Sequence, residues 1–230
     1  MKQKIYIIHG WTYDLDKWDV FVDELRDTKF EPILLKVPGL TTKSDKVFTI
    51  NDYESWLDSE LKSATGKIIV MAHSNGGRIA LHYIARHPDT IEQLILVDSA
   101  GVEAGKKLGL KRKIVAPLAK IARRFVVSPK YRLAVYKFLK ATDYHNAPEN
   151  MKQTMQNMLR ADDGFNEKIA KIKTPTLLIW GRHDQLTPLR SGQDMAQLLG
   201  AKLHIIDDAR HAPFNTHPKD VLQIVEEFLK

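Results

Sequence analysis

The stretch IIVMAHSNGGRIAL, residues 68–81, decides the fold class. Its first four residues are continuously apolar, as in a strand buried on both faces, and an apolar helical repeat begins at Ile79. Ser74 therefore lies at a tight turn between a strand and a helix. Such a turn strains the backbone of its apex residue and exposes that side chain, and the small residues Ala72 and Gly76 let strand and helix pass closely. The stretch predicts an exposed hydroxyl at a strained turn.

The same alternation of strand and helix extends along much of the chain. Five further apolar runs predict strands, namely Ile5–Ile8, Ile33–Val37, Leu94–Val97, Thr176–Trp180 and Leu203–Ile206. Helical spacing of apolar residues predicts helices across Trp18–Leu25, Tyr53–Leu61, Ile79–Ile84 and Val221–Phe228. Alternating strands and helices predict an α/β fold with a mostly parallel, about six-stranded sheet and helices on both faces.

The alternation stops between residues 102 and 164. Apolar residues keep a helical spacing there, prolines divide the segments, and no strand pattern occurs. We expect three or four helices, inserted after the fourth strand as a cap. The core domain would then consist of residues 1–101 and 165–230.

Composition excludes several classes of protein. The chain has 230 residues, 43% of them hydrophobic, which suits one folded core. It has no cysteine, so disulfides, cysteine-ligated metals and thiol catalysis are excluded. Its apolar runs are far shorter than the roughly 18 residues of a membrane-spanning helix, and no cleavable leader is recognisable. We therefore expect a cytoplasmic protein, monomeric or dimeric.

The net charge of +7 comes from one segment. Twelve Lys or Arg and no Asp or Glu lie between Gly105 and Lys140, and without them the chain is mildly acidic. This distribution argues against a specific nucleic-acid binder. Three interpretations of the basic segment stay open: solvated helix faces, attraction of an anionic substrate or an acidic carrier protein, and weak contact with an anionic membrane surface.

Two groups that could activate the Ser74 hydroxyl follow the last two predicted strands. A serine needs a base to take its proton and a carboxylate to orient that base. Asp184 follows the fifth strand and His211 the sixth. Parallel strands end at one edge of their sheet, so these side chains and Ser74 are expected to converge there.

Four motifs in this order resemble the α/β-hydrolase fold family over essentially the whole chain. They are HGW at residues 9–11, AHSNGG at 72–77, TPTLLIWG at 174–181 with the aspartate that follows, and HAP at 211–213. Position 72 is alanine where the family more often has glycine. The chain also begins at what resembles the family's third strand, so we expect six strands without the antiparallel start.

The resemblance implies roles for five residues and no metal or organic cofactor. Ser74 would be the nucleophile, His211 the general base and then acid, and Asp184 the group that orients His211. Backbone N–H groups of Trp11 and Asn75 would form the oxyanion hole.

Some side chains have more than one interpretation. Asp98, after the fourth strand, is an alternative acid, because some family members place the acid there. His73 is expected to be structural, and His183 is expected to be an exposed loop residue and not a metal ligand. We expect Met151, Met155, Met158 and Trp180 either to pack in the core or to line an acyl pocket. Trp11 and Tyr13 are further candidates for the lining of that pocket.

A serine nucleophile implies acyl transfer through an acyl-enzyme. We therefore expect a small-molecule ester substrate with a small or medium acyl group. Hydrolysis of thioesters, lactones or carbon–carbon bonds uses the same three residues. A weakly catalytic or non-catalytic ligand receptor on the same scaffold is a further alternative.

Overall fold

The computed structural model describes residues 2–64, 66–102 and 147–230. The strands of this part are β1 (Gln3–Ile8), β2 (Phe30–Leu35), β3 (Ile69–His73), β4 (Gln93–Val97), β5 (Thr176–Gly181) and β6 (Lys202–Ile206). Its α-helices are α1 (Asp19–Arg26), α2 (Ile50–Leu61), α3 (Asn75–Arg86), α4 (Glu149–Ala161), α5 (Asn166–Ile169), α6 (Leu189–Leu199), α7 (Pro213–Thr216) and α8 (Pro218–Phe228). A short 3₁₀ helix, Asp16–Trp18, precedes α1.

The six strands form one parallel sheet in the order β2-β1-β3-β4-β5-β6. One row of paired residues crosses its centre from Ile8 through Ala72 and Leu96 to Leu178. Because the strands are parallel, the loops that follow β1, β3, β4, β5 and β6 all leave from one edge. The predicted fold class is confirmed. Ser74, Asp184 and His211 all lie in loops at this C-terminal edge of the sheet.

Helices cover both faces of the sheet. On one face, α1 and α8 pack against the strands through Phe21, Leu25, Val221 and Val225, all completely buried. On the other face lie α2, α3, α4 and α6, with Tyr53 of α2 among the buried residues. Burying one such side chain stabilises a fold by roughly 1.5–3 kcal/mol. The central strands are therefore shielded from water on both sides.

Local contacts fix the helix ends that matter for the site. Thr49 and Asp52 form a reciprocal capping box at the start of α2. Thr154 of α4 accepts a hydrogen bond from the Phe48 N–H at 2.9 Å, and Asn157 donates to the Phe48 carbonyl at 3.0 Å. The segment before α2 is thereby attached to α4, which follows it by about a hundred residues.

Two strands and one helix differ from the sequence prediction. The second strand was predicted over Ile33–Val37, but β2 covers Phe30–Leu35, and the Val37 N–H donates to His9 Nε2 and not to the sheet. The sixth strand was predicted to be buried on both faces, but β6 is an edge strand in which only Ile206 is buried. Helix α6 was not predicted, since Gly192 interrupts its apolar pattern.

Gly192 has a packing reason. A Cβ at this position would lie 2.7 Å from Cδ2 of Trp180, so the glycine lets α6 sit directly on that ring. Trp180 itself is completely buried, and its Nε1 donates to the Thr187 carbonyl at 2.7 Å. This side chain belongs to the core.

The predicted cap falls mostly on residues 103–146, which lie outside the described residues. The helix predicted around Met151, Met155 and Met158 is present as α4. The division into a core and a cap stays a prediction. Within the described ranges, no helix combines the length and the apolar composition that crossing a membrane requires.

Candidate active site

Ser74 occupies the turn between β3 and α3. Its backbone dihedrals are φ 51° and ψ −119°, a conformation that residues with a side chain rarely adopt. The Ser74 N–H donates to the Val97 carbonyl at 3.1 Å, and the Ala100 N–H donates to the Ser74 carbonyl at 2.9 Å. Strain of this kind persists only where the surroundings over-determine it. The neighbouring strand therefore holds Ser74 in one position at the sheet edge.

Close packing explains the small residues around this turn. A Cβ on Gly76 would fall against the Ile8 carbonyl of β1. A Cβ on Gly10 would lie 2.8 Å from His73 Nδ1 and 2.9 Å from Ser74 Cβ. The loop after β1 therefore lies directly against the turn that carries Ser74.

The side chains of Ser74, His211 and Asp184 form a chain of hydrogen bonds. Ser74 Oγ lies 2.9 Å from His211 Nε2, and His211 Nδ1 lies 2.8 Å from Asp184 Oδ2. A carboxylate can only accept a hydrogen bond, so His211 Nδ1 carries the ring proton and donates a hydrogen bond to Asp184. His211 Nε2 is then unprotonated and accepts a hydrogen bond from the Ser74 hydroxyl. This tautomer is the one in which an imidazole can remove the hydroxyl proton.

Asp184 is buried and well supplied with donors. Its Oδ1 accepts the N–H groups of Leu186 at 2.8 Å and Thr187 at 3.1 Å, and its Oδ2 lies 2.6 Å from the Thr187 hydroxyl. Burial opposes ionisation, but the hydrogen bond and charge of His211 and the bonds from Thr187 outweigh it and lower the pKa of Asp184. The group is therefore a carboxylate at neutral pH. Thr187 was missed by the sequence analysis, although a hydroxyl three residues after an acidic loop residue is typical of a side-chain-stabilised turn.

His73 supports the loop that carries His211. Its Nε2 lies 2.6 Å from the His211 carbonyl oxygen, so the ring donates to that backbone. Burial, together with the nearby His211, lowers the pKa of His73 to about 3, and the ring is neutral at physiological pH. The ring also contacts Trp18 and Phe214 edge-on. His73 is thus a buried residue whose contacts fix the position of His211.

His9 is the corresponding buried histidine of the loop after β1. Its Nε2 accepts the Val37 N–H at 3.2 Å, so Nδ1 carries the proton and donates to the Gly10 carbonyl at 2.8 Å. Burial lowers the pKa of His9 to about 4. A neutral ring therefore orients the peptide that joins Gly10 to Trp11, whose N–H the resemblance assigns to the oxyanion hole.

Asn75 opens α3 beside Ser74, and its side chain belongs to a buried polar cluster. Backbone N–H groups in the first turn of a helix have no acceptor within the helix, and the helix dipole makes this end positive. The Asn75 side-chain oxygen accepts from Arg78 Nη1. Arg78 Nε in turn donates to both carboxylate oxygens of Asp162, at 3.0 Å each. This cluster is not predictable from the sequence, because nothing in a single sequence pairs residues 84 positions apart.

Asp98 lies near the hydrogen-bonded side chains of Ser74, His211 and Asp184 but makes no hydrogen bond to His211. Its Oδ1 accepts the Gly181 N–H at 2.9 Å, and the carboxylate that hydrogen-bonds to His211 is that of Asp184. His183 is exposed, as expected of a loop residue.

One group of potential metal ligands occurs within the described ranges. Donor atoms of His73, Asp98 and His211 all lie within 4.8 Å of one another. Both ring nitrogens of His211 already bond to Asp184 and Ser74, so a metal would have to displace one of these partners.

The proposed pocket residues differ in exposure. Met151 and Met158 are completely buried in the hydrophobic core, which agrees with the core-packing interpretation for these two side chains. Met155 is half-buried, and Tyr13 is 39% exposed. A contribution of Tyr13 and Met155 to substrate binding stays a prediction.

A parallel sheet whose C-terminal edge carries a hydrogen-bonded serine, aspartate and histidine, in that chain order, is typical of the α/β hydrolases. Residues 4–218 match the sequence profile described as alpha/beta hydrolase fold. The match covers nearly the whole chain. The chain belongs to the alpha/beta hydrolase fold family.

Several similar proteins carry names that describe an activity. A pimeloyl-[acyl-carrier protein] methyl ester esterase of Neisseria meningitidis serogroup C is 26% identical, over 99% of this chain and 94% of that protein. A bifunctional biotin biosynthesis protein of Teredinibacter turnerae is 25% identical over 98% of this chain, which spans only 44% of that relative's length. The family match and the named relatives together support a hydrolase with ester activity.

A solved structure is similar in fold. An alpha/beta hydrolase enzyme from the metagenome of lagoon sediments at Mar Chica, Morocco, superimposes with a TM-score of 0.67 at 22% identity. The similarity covers 100% of this chain and 91% of that one.

Proposed function

We propose that this protein is a serine esterase that hydrolyses carboxylic esters of small or medium acyl groups through an acyl-enzyme. The observation that carries the proposal is the continuous hydrogen-bonded chain from Ser74 Oγ to His211 and on to Asp184, at 2.9 and 2.8 Å. A serine hydroxyl becomes a useful nucleophile when an adjacent, correctly oriented base can take its proton.

In the first half of the reaction, Ser74 Oγ attacks the ester carbonyl while His211 Nε2 takes the hydroxyl proton. Asp184, already a carboxylate, stabilises the imidazolium that forms. The developing oxyanion is bound by backbone N–H groups of Trp11 and Asn75. Removing one donor of this kind typically costs about 10²–10³-fold in kcat, so the loop that His9 holds matters nearly as much as the base.

The first half ends when the alcohol leaves, and the second half is hydrolysis of the acyl-enzyme by water. His211 returns its proton to the leaving alcohol, and the acyl group stays on Ser74. A water molecule then loses a proton to His211 and attacks the acyl-enzyme. The carboxylic acid leaves, and Ser74 recovers its hydroxyl proton from His211. No group other than water and the protein is required for these steps.

The proposal is tested with p-nitrophenyl esters of increasing chain length and the variant Ser74→Ala. We expect kcat/KM to fall by about 10³-fold or more, because the nucleophile is lost. The exposed Ser63, changed to Ala, is the matched control and should keep the wild-type rate. Far-UV circular dichroism of both variants checks the fold. Retained turnover in Ser74→Ala would refute the assignment.

Labelling with a fluorophosphonate separates an enzyme from a receptor on the same scaffold. Rapid modification of Ser74 in the wild type, absent from Ser74→Ala, supports the esterase. An inert Ser74 in folded protein favours the receptor. A parallel panel of oxygen esters, thioesters and lactones of one acyl chain then ranks the bonds that the site cleaves.

A second candidate is an esterase whose acyl substrate is attached to an acidic carrier protein. Two observations favour it: the relative from Neisseria meningitidis is named for such a substrate, and residues 105–140 carry twelve basic and no acidic side chains. A concentrated basic charge accelerates encounter with an acidic partner, and salt screens the effect.

The carrier is tested by comparing one methyl ester in two forms, attached to an acyl-carrier protein or to a short free thiol. We expect a higher kcat/KM for the carrier-bound form, and an advantage that shrinks as salt is raised. Changing Lys111, Arg112 and Lys113 to Gln should reduce the advantage without affecting the thiol-bound ester. Equal rates for both forms at low salt would exclude the carrier as a recognised partner.

A further inference from the structure

Thr187 is held firmly in the loop that carries Asp184. Its N–H donates to Asp184 Oδ1 at 3.1 Å, and its carbonyl accepts the Nε1–H of Trp180 at 2.7 Å. The next residue is Pro188, whose ring restricts the backbone of the residue before it. Threonine is β-branched, which also limits rotation of its side chain about χ1. The hydroxyl oxygen of Thr187 therefore has a fixed place at the edge of the sheet.

This hydroxyl has two acceptors but only one proton. Thr187 Oγ1 lies 2.6 Å from Asp184 Oδ2 and 2.9 Å from the carbonyl oxygen of Asp98. A carboxylate and a backbone carbonyl can only accept, so the hydroxyl donates to one of them at a time. Because the oxygen is within hydrogen-bond distance of both, changing the acceptor requires only rotation of the O–H bond.

Asp184 has enough other donors to release this hydroxyl. Its Oδ1 accepts the N–H groups of Leu186 and Thr187, and its Oδ2 accepts the Nδ1–H of His211. The Asp98 side chain also hydrogen-bonds to Asp184. Burial and then the charge of Asp184 raise the pKa of Asp98 well above its ordinary value, so Asp98 is a neutral acid and the donor in this bond. These groups already match the roughly four lone pairs of a carboxylate, and the hydroxyl is an additional donor.

The hydroxyl and His211 share one oxygen of the carboxylate. Thr187 Oγ1 and His211 Nδ1 lie 2.6 and 2.8 Å from Asp184 Oδ2, and 3.3 Å from each other. While the imidazole is neutral, the hydroxyl points to Asp184, because a charged acceptor forms the stronger hydrogen bond. Once the ring has taken the Ser74 proton, a hydroxyl hydrogen beside Oδ2 weakens the attraction between carboxylate and imidazolium. A hydroxyl turned to Asp98 instead presents a lone pair to the Nδ1–H.

We propose that Thr187 is a positioning residue whose hydroxyl changes acceptor during turnover, from the Asp184 carboxylate while His211 is neutral to the Asp98 carbonyl while His211 is an imidazolium. The inference rests on the proposed function, since it requires His211 to act as the base. Only the hydroxyl hydrogen turns; the Nδ1 proton stays on His211, and no covalent bond forms or breaks at Thr187. The stabilisation is confined to the charged states of the reaction, and such an interaction raises kcat without changing substrate binding.

The first test compares Thr187→Val, which has a similar shape but no hydroxyl, with Thr187→Ser, which keeps one. With one p-nitrophenyl ester, we expect Thr187→Val to lower kcat by about 10-fold at unchanged KM, because a hydrogen bond to a charged group is lost. Thr187→Ser should stay within about threefold of the wild type, since it keeps the hydroxyl and the backbone bonds. Thr42→Val, at an exposed threonine, is the matched control and should keep the wild-type kcat.

Proton NMR separates a hydroxyl that changes acceptor from one that stays on Asp184. The Nδ1–H resonance of His211 reports the strength of its hydrogen bond to Asp184 Oδ2. A trifluoromethyl ketone that adds to Ser74 converts the ring to the imidazolium. In the free protein the wild-type hydroxyl weakens the His211 bond, so the resonance of Thr187→Val should lie further downfield. In the ketone adduct the hydroxyl has turned away, so the resonances of the two proteins should coincide.

A difference between the two proteins that persists in the adduct would overturn the inference, because the hydroxyl would then still be on Asp184. A wild-type kcat in Thr187→Val, or a loss that Thr187→Ser does not recover, would overturn it as well. Thr187→Ala also lacks the hydroxyl, and it replaces Thr187→Val in both measurements if far-UV circular dichroism shows that the valine variant does not fold. Turnover retained by Ser74→Ala in the same assay would instead refute the esterase.

Discussion

The buried pair Arg78–Asp162 offers a quantitative test of how the fold supports the site. Arg78 belongs to α3, the helix that follows Ser74, and Asp162 follows α4. Their charged side chains are only 7% and 11% exposed. Changing Asp162 to Leu would keep approximate volume but leave the guanidinium of Arg78 buried without its carboxylate.

The expected cost follows from burial. Removing one partner of a buried ion pair destabilises a protein by about 3–5 kcal/mol, because the remaining charge loses its compensation. For a chain of this size each kcal/mol lowers Tm by about 2–4 °C, so Asp162→Leu should lower it by about 6–20 °C. The double variant Arg78→Met with Asp162→Leu removes both charges and should recover most of this loss.

Urea unfolding followed by tryptophan fluorescence measures these differences, since Trp18 and Trp180 are buried and become exposed. A loss of unfolding free energy below about 1 kcal/mol for Asp162→Leu would contradict a buried ion pair, because losing a solvent-exposed pair costs no more than that. A double variant no more stable than Asp162→Leu would contradict it as well. Ester turnover adds a second readout: only variants at Arg78 remove the donor to the Asn75 side chain, so only they should lower kcat beyond the effect of stability.

Three further predictions concern the site itself. His73→Phe keeps the packing of the ring but loses the bond to the His211 carbonyl, so kcat/KM should fall roughly 5- to 10-fold with KM little changed; an unchanged kcat would show that the loop needs no such bond. Gly10→Ala brings a methyl group within 2.9 Å of Ser74 Cβ. It should lower the free energy of unfolding in urea by about 1–3 kcal/mol and also lower kcat. Wild-type values of both quantities would contradict the close packing. The lowered pKa of Asp184 contributes stability that is present above the pKa of the unfolded chain and is lost as pH falls through the folded value. Asp184→Asn should therefore lose less stability on acidification than the wild type, and a loss as steep as the wild type's would contradict this linkage.

Features that depend on local pattern were accessible from the sequence. Continuous apolar runs predicted that all six strands exist, and the four central strands are the ones buried on both faces, where a strand has no polar side. The Ser74 turn was predicted because an apolar run that ends at Met71 is followed by a helical repeat from Ile79, with small residues on either side of Ser74. The order of the motifs predicted that Ser74, Asp184 and His211 would lie at one edge, and the structure has them within hydrogen-bond distance. Their catalytic roles stay a proposal.

Features that depend on contacts between distant segments were not accessible. Strand order alone did not separate Asp98 from Asp184, since both residues follow strands that end at the same edge. The resemblance implied Asp184, and the loop geometry gives the hydrogen bond to His211 to that residue. Thr187 and Arg78 acquire their roles only through partners in other elements. The bounds of β2 were wrong for the same reason: Val37 looks like a strand residue, but its N–H has a better acceptor in His9.

The position of His211 is the most demanding feature of the site. Three strand spacings separate β3 from β6, about 14 Å at about 4.8 Å each. The loop from Ile206 to His211 does not cover this distance in an extended conformation, because it begins with a turn in which the Ala209 N–H donates to the Ile206 carbonyl at 3.2 Å. The side chains of Ser74 and His211 close the remaining gap with their hydrogen bond.

The loop is attached on the way. The His183 N–H, from the loop after β5, donates to the Ala209 carbonyl at 3.0 Å, and His73 at the end of β3 holds the His211 carbonyl. Each attachment restricts the conformations of the loop, and together they favour one position of His211. The imidazole therefore meets Ser74 Oγ without a conformational search, because the cost of ordering the loop is met during folding and not in each turnover.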